Sequence, residues 1–130
     1  MISSAYCEAT TPKITLISGH ACGGAYTAFA GRSTVADMVF AFPEAVISPL
    51  PPEASVIVMH NERLKSGEAM QTLTEEFIQK EASAFAAAEK GYVDDIISKE
   101  ELREKLTAAL RMLSGKRAAR PAKKHTNIPF

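Results

Sequence analysis

The chain alternates between short apolar runs and longer segments with helical periodicity. The short apolar runs predict β-strands at residues 13–18, 37–42, 45–47 and 92–97. The longer segments predict helices at residues 1–8, 23–30, 53–64, 68–90 and 98–112. Strands and helices that alternate in this way are typical of α/β layers. The sequence therefore predicts an α/β domain.

Several residues at the element ends support these boundaries. Gly91 is expected to be the C-cap of the long helix, and Ser98 with Glu101 has the spacing of a capping box. The long helix is expected to carry apolar residues on or near one face: Leu73, Phe77, Ala84 and Phe85. The last helix has an apolar stripe that predicts core packing: Leu102, Leu106, Ala109, Leu110 and Leu113.

The segment KITLISGHACGGAY, residues 13–26, carries the strongest candidate chemistry. An apolar run meets a turn at Gly19, and Gly23 and Gly24 then open a helix of small residues. Adjacent glycines at such a junction let the backbone pass where a Cβ would collide. They also direct unpaired N–H groups outward from a helix start, where negative charge is favoured. The segment predicts either a main-chain oxyanion hole or a tight turn that packs a helix on a sheet.

Composition excludes several classes of function. The 130 residues are 46% apolar and 23% charged with a formal net charge of zero, which indicates one small globular domain without bulk attraction to nucleic acid or membranes. No signal-peptide pattern or membrane-length apolar run is present in the sequence, so no membrane insertion and a cytoplasmic location are predicted. Cys7 and Cys22 have neither metal nor redox spacing, and no metal site is expected.

Other polar residues are interpreted as structural. Cys22 is expected to be a small buried residue rather than a nucleophile, because no neighbouring base is evident. His20 and His60 are lone histidines, interpreted as surface or helix-packing residues. Asp94 and Asp95 are expected to make turn or interface contacts.

The C-terminal residues 116–130 form a basic tail, separate from a domain at 1–115. Residues 116–125 contain five cations and no acid, which indicates either a solvated tail or a segment that binds a partner or the phosphates of a ligand. We expect Ile128 and Phe130 to anchor the tail on apolar surface. Arg120 and Lys124 are expected to pair with carboxylates.

Five motifs occur in an order and spacing that resemble one family. They are EATTPKIT (8–15), CGGAY (22–26), AFPEA (41–45), GYVDDII (91–97) and RPAKKHTNIP (120–129). Together they resemble the C-terminal half of biotin-dependent acyl-CoA carboxyltransferase subunits. That family includes the β subunits of propionyl- and acetyl-CoA carboxylases and the matching subunits of acyl-CoA decarboxylases.

The resemblance implies a fold, a reaction and partners. The implied fold is the crotonase-like superfold, a spiral of ββα turns with a helical annex. The implied enzyme uses biotin carried on a separate protein and a coenzyme A thioester substrate, and this half contributes the biotin side of the site. The implied partners are an N-terminal-half carboxyltransferase subunit and a biotin carrier protein, within a homo- or hetero-oligomer. Because the chain begins inside the half, Met1 is expected to be either the start of a split-gene subunit or a truncation point.

The resemblance also implies roles for the glycine segment. Gly24 and Ala25 would be the catalytic main-chain donors to the biotin ureido oxygen, and Gly23 would allow the turn. The implied substrate-binding residues are Cys22, Gly23, Tyr26 and Thr27.

The chain departs from the family pattern at four positions. Cys22 stands where the family has Tyr, Thr27 where it often has Asp, and Pro51 and Ala54 where it has glycines. A catalytically silent assembly subunit is therefore the alternative function. A hydratase or isomerase of the same fold is a third class, but it would need acidic side chains at the pocket.

Overall fold

Two small parallel sheets form the framework in the computed structural model, which describes residues 2–29, 31–32 and 35–117. The strands are β1 Ile14–Ile17, β2 His20–Cys22, β3 Met38–Ala41, β4 Val46–Ser48 and β5 Asp95–Ile96. The helices are α1 Ile2–Glu8, α2 Gly23–Ala28, α3 Pro52–Met59, α4 Asn61–Lys65, α5 Met70–Phe77, α6 Ala84–Glu89 and α7 Leu102–Leu113, with a π-helical turn at Ile78–Ala82. The α/β architecture predicted from the sequence is confirmed.

The strand pairing follows a repeating ββα unit. Strands β1 and β2 precede α2, and β3 and β4 precede α3. The first strands of the two units pair in parallel, with Ile14 opposite Met38, and the second strands pair in parallel, with His20 opposite Val46. Strand β5 then adds beside β3. Two successive ββα turns therefore stack in register, which is the start of a spiral.

Three clusters of apolar side chains join the helices to these sheets. The first places Ile47 of β4 against Ala87 of α6, and the second surrounds Leu73 of α5. The third packs Phe40 and Ala109 together, which holds α7 against β3. The apolar stripe predicted for α7 is buried at Ala109, but Leu110 is 54% exposed in the described structure, so its expected core role is wrong.

The capping predictions are confirmed in their contacts. Ser98 N–H donates to Glu101 Oε2 at 3.0 Å, and Glu101 N–H donates to Ser98 Oγ at 3.4 Å, although regular helix begins only at Leu102. Gly91 follows α6 with φ +79°, a left-handed conformation that favours glycine at a helix end.

Two long helices predicted from the sequence are interrupted. The 53–64 segment breaks at His60, where ψ is 27°, and gives α3 and α4. The 68–90 segment breaks at Ser83, whose extended backbone forms a bridge with Val46 of β4. Because α6 starts in a new direction after this break, its buried face does not continue that of α5. Phe85 is therefore 63% exposed and does not lie on the buried face that the periodicity predicted.

The predicted contacts of the basic tail cannot be described, because residues 118–130, with Arg120, Lys124, Ile128 and Phe130, lie outside the described residues.

Asp37 ties the end of α7 to the beginning of β3. Its carboxylate accepts hydrogen bonds from the Lys13 main-chain N–H at 2.7 Å and from Lys116 Nζ at 2.7 Å. Burial acts to raise the pKa of Asp37, but the Lys116 and Lys13 contacts outweigh it and bring the pKa below its ordinary value of 3.8.

This lowered pKa predicts an acid dependence of stability. A carboxyl group whose pKa is lower in the folded state stabilises the fold above its unfolded pKa, and this contribution disappears as pH falls through the folded pKa. Asp37→Asn should therefore cost about 1 kcal/mol at pH 7 and much less at pH 2. Urea unfolding at both pH values measures this, with exposed Glu100→Gln as the control. An equal loss at both pH values would exclude the carboxylate as its source.

Candidate functional site

A cavity of about 680 Å³ opens where the start of α2 meets the end of β4 and the region around α6. Its lining combines both glycines of the CGGAY motif with residues from distant parts of the chain. The lining residues are Gly23, Gly24, Tyr26, Thr27, Ile47, Ser48, Pro49, Leu50, Glu81, Ala87, Lys90 and Tyr92. The structure thus brings four of the six predicted site residues into one cavity.

The two glycines have different structural roles. Gly23 has φ +63°, which strains any other residue, and a Cβ there would lie 3.5 Å from the Pro49 carbonyl oxygen. A Cβ on Gly24 would meet no heavy atom within 4 Å among the described residues, so the space beside it is open. Gly23 therefore shapes the turn, and Gly24 gives access to the cavity.

The N–H groups of the first turn of α2 have no acceptor within the helix. Gly24 and Ala25 both belong to this turn and are exposed. Gly24 lines the large cavity, whereas Ala25 lines a second cavity of about 280 Å³ between α2 and the segment that joins β1 to β2. The helix start thus separates the two predicted donor residues between two openings.

Cys22 immediately precedes α2 and is half-buried. Burial raises the pKa of the Cys22 thiol, while the Ser48 main-chain N–H lowers it in part and Glu53 raises it further. A raised pKa keeps the sulfur as a neutral thiol, which is a weak nucleophile. This supports the interpretation that Cys22 is not a nucleophile, although its side chain is half-buried and not fully buried as expected.

Two residues that line the cavity carry a hydroxyl group with no hydrogen-bond partner among the described residues. The two groups are Tyr26 Oη and Ser48 Oγ, and both oxygens are buried. Burial also raises the pKa of Tyr26. The Arg32 main-chain N–H offsets part of that rise because it approaches the Tyr26 hydroxyl, although it does not form a hydrogen bond of good geometry with it. A buried hydroxyl without a hydrogen-bond partner costs free energy, so these two groups lower the stability of the cavity wall.

The charges of the cavity lie at its rim. Among the described residues that line it, Glu81 and Lys90 are charged, and Lys90 Nζ lies 3.1 Å from Glu81 Oε2. Sequence reasoning missed both residues, because they are nine positions apart and meet only through the break at Ser83. Tyr92 also lines the rim, beside the motif glycine Gly91.

The two replaced glycine positions lie at the start of α3. Pro51 is the N-cap of this helix with φ −51°, and Ala54 lies within the helix. From this turn, Pro49 and Leu50 line the cavity, while Pro51 and Ala54 are absent from its described lining. Proline therefore fits the local backbone, and its missing N–H falls outside the cavity wall.

The paired acids of the GYVDDII motif make structural contacts, as predicted. Asp94 Oδ2 accepts hydrogen bonds from the Val39 N–H at 2.8 Å and from Arg32 at 3.0 Å. Asp95 pairs with Lys105 of α7 at 2.6 Å. Within residues 2–29, 31–32 and 35–117, no three His, Cys, Asp or Glu residues form a potential metal site. No helix in this part of the chain has the length and apolar character needed to cross a membrane.

Comparison with known proteins gives consistent matches over nearly the whole chain. A model of the carboxyl transferase domain matches residues 1–128. A putative propionyl-CoA carboxylase β chain of Bacillus subtilis is 43% identical over 130 residues, which cover 97% of this chain and 26% of that protein. The methylmalonyl-CoA decarboxylase α subunit of Propionigenium modestum is 40% identical over 130 residues, covering 97% and 25%.

The solved structures agree with the sequence comparisons. The transcarboxylase 12S structure, a hexamer with methylmalonyl-CoA and methylmalonic acid bound, superimposes with a TM-score of 0.87 at 38% identity. The match covers 99% of this chain and 25% of that one. The chain thus spans about a quarter of the length of the curated relatives that it matches.

Proposed function

Because the chain belongs to the carboxyl transferase domain family, we propose that it supplies the biotin-side half-site for carboxyl transfer between carboxybiotin and an acyl-CoA. Its fold is the crotonase-like α/β fold that the motifs implied. The single observation that carries the proposal is the glycine turn at Gly23 and Gly24, which opens directly onto the 680 Å³ cavity.

The glycine turn suits the charge that develops during this reaction. Biotin on a carrier protein would carry the carboxyl group, and the residues of this chain would stabilise negative charge on its ureido oxygen. The N–H groups of Gly24 and Ala25 are the proposed donors to this oxygen, and each such donor contributes about 3–4 kcal/mol in comparable sites. Gly23 allows the turn that presents them, and Cys22, Tyr26 and Thr27 are the proposed substrate contacts.

The site requires more protein than this chain provides. The chain corresponds to about a quarter of its curated relatives, and the cavity is open. We assign the acyl-CoA side to an N-terminal-half carboxyltransferase subunit and biotin delivery to a biotin carrier protein, within an oligomer. Ile57, Val58 and Met59 of α3 are each more than half exposed, which suits contact with a further subunit. The unpaired cysteines suit a reducing cytoplasm.

A silent assembly subunit is the second candidate. Ala25 lines a different cavity from Gly24, and Thr27 replaces a residue that is often acidic in the family. A subunit of this kind would complete the complex without turnover. The enzyme proposal is preferred because the glycine turn and the cavity are both present.

Reconstitution tests the two candidates. The chain is purified from its native host with its co-purifying subunits, and carboxyl transfer from methylmalonyl-CoA to the biotin carrier is measured with and without the chain. We expect an oligomer whose transfer activity requires the chain. A complex that assembles with the chain but shows unchanged activity without it would favour the silent subunit. A free 14 kDa monomer that binds acyl-CoA tightly would exclude both candidates.

A further inference from the structure

The ion pair at the cavity rim joins two helical segments that do not form one continuous helix. Glu81 belongs to the π-helical turn, and Lys90 follows the last residue of α6. The extended backbone at Ser83 separates them and directs α6 so that the two side chains meet at 3.1 Å. Both side chains are about half exposed, at 49% and 50%.

The pair contributes little to the fold. Exposed ion pairs of this kind have small effects on stability, because solvent screens them and two long side chains must be ordered. The backbone at Lys90 is held independently, since its N–H donates to the Ala86 carbonyl at 3.2 Å and the Tyr92 N–H donates to the Ala87 carbonyl at 2.9 Å. These hydrogen bonds thus fix the backbone position of Lys90, whereas the Lys90 ammonium group can exchange one hydrogen-bond partner for another.

An anionic ligand that enters this cavity would need a cation beside it. The neighbouring cavity wall is largely apolar, with Ile47, Leu50 and Ala87, and a carboxylate that enters it requires a counter-charge. Lys90 is the cation among the described lining residues. A lysine ammonium has three donors on a flexible stem, so it can leave one carboxylate for another without moving the backbone.

We propose that Lys90 binds the carboxylate that is transferred, and that Glu81 holds the Lys90 side chain at the rim until this carboxylate arrives. The inference rests on the proposed function, in which the same carboxylate is carried first by one substrate and then by the other. Glu81 competes with the ligand for Lys90. The two residues therefore have opposite effects on ligand affinity.

Three substitutions in the reconstituted complex test this. Lys90→Gln removes the cation, Glu81→Gln removes its competitor, and Lys80→Gln removes the lysine of an exposed pair with Glu76 outside the described cavity lining. The ligands are methylmalonyl-CoA and propionyl-CoA, which differ by the carboxylate alone. The measured quantities are KM for methylmalonyl-CoA, the inhibition constant of propionyl-CoA and the thermal midpoint of each variant.

Lys90→Gln and Glu81→Gln are expected to change KM for methylmalonyl-CoA in opposite directions. Lys90→Gln should raise KM for methylmalonyl-CoA roughly three- to tenfold and leave the propionyl-CoA constant unchanged. Glu81→Gln should lower the same KM about twofold, and Lys80→Gln should change neither constant. All three variants should keep the wild-type thermal midpoint.

Other patterns overturn the inference. An equal loss of affinity for both ligands in Lys90→Gln would assign the lysine to coenzyme A phosphates. Weaker binding in both Lys90→Gln and Glu81→Gln would show a structural pair, and no change in either would exclude a role in binding. If the wild-type complex has no transfer activity, the proposed function fails. The Lys90 inference is then decided separately by titrating methylmalonate against the Lys90 side-chain NMR signal, where an unchanged signal excludes it.

Discussion

Replacing Gly24 with valine is expected to abolish carboxyl transfer while the chain remains folded. A Cβ at Gly24 meets no heavy atom within 4 Å among the described residues, and valine has no lower helix propensity than glycine, so α2 should tolerate it. The added methyl groups would fill the open space beside the proposed N–H donors and exclude the ligand oxygen. Loss of one such donor costs about 100- to 1000-fold in turnover, and we expect at least that loss.

Gly115→Val is the matched control for this substitution. Gly115 also has no heavy atom within 4 Å of its Cβ position in the described structure, but it follows α7 and does not line the cavity. We expect both variants to keep the wild-type thermal midpoint, and only Gly24→Val to lose transfer activity. Gly23 is a poorer test, because its φ of +63° would strain any side chain and confuse folding with catalysis. Normal turnover in Gly24→Val would remove the glycine turn from the mechanism.

The fold was predictable where the signal was local. Strands β1, β3 and β4 are short apolar runs, and their boundaries were predicted to within two residues. Strand β2 was not predicted, because its three residues His-Ala-Cys have no apolar alternation and form a strand by pairing with β4. The break at Ser83 was also missed, since neither glycine nor proline marks it. Its local signal is the serine itself, whose Oγ accepts a hydrogen bond from the Ala86 N–H as the N-cap of α6, and its extended backbone forms the bridge to Val46.

The candidate site was likewise predictable only where its residues are close together in the sequence. The turn at Gly23 and Gly24 was predictable, because adjacent glycines between a strand and a helix carry a conformational signal of their own. The contributions of Glu81 and Lys90 were not predictable, because their approach depends on the direction of α6 after the break. The separation of Ala25 from the large cavity likewise depends on how α2 sits between two openings.

Replacing Phe40 with alanine should be among the most destabilising substitutions in the chain. Phe40 lies in β3, the central strand of the three-stranded sheet, and is 2% exposed. Its ring packs in one cluster with Phe42, Ile97 and Ala109, so it joins the sheet to α7. Truncating a buried phenylalanine removes its burial free energy and leaves a cavity, which costs about 3–5 kcal/mol.

Phe85→Ala is the control for this loss, since Phe85 is 63% exposed on α6. Urea unfolding of both variants should show the full loss for Phe40→Ala and a change within about 0.5 kcal/mol for Phe85→Ala. Equal losses would contradict the described core.

Loss of the Phe40 cluster should also affect the candidate site, because β3 leads through Phe42 into β4 and then into the Ser48–Leu50 wall of the cavity. A chain that loses the Phe40 cluster should therefore lose transfer activity through unfolding, with activity and the folded fraction falling together as urea is raised.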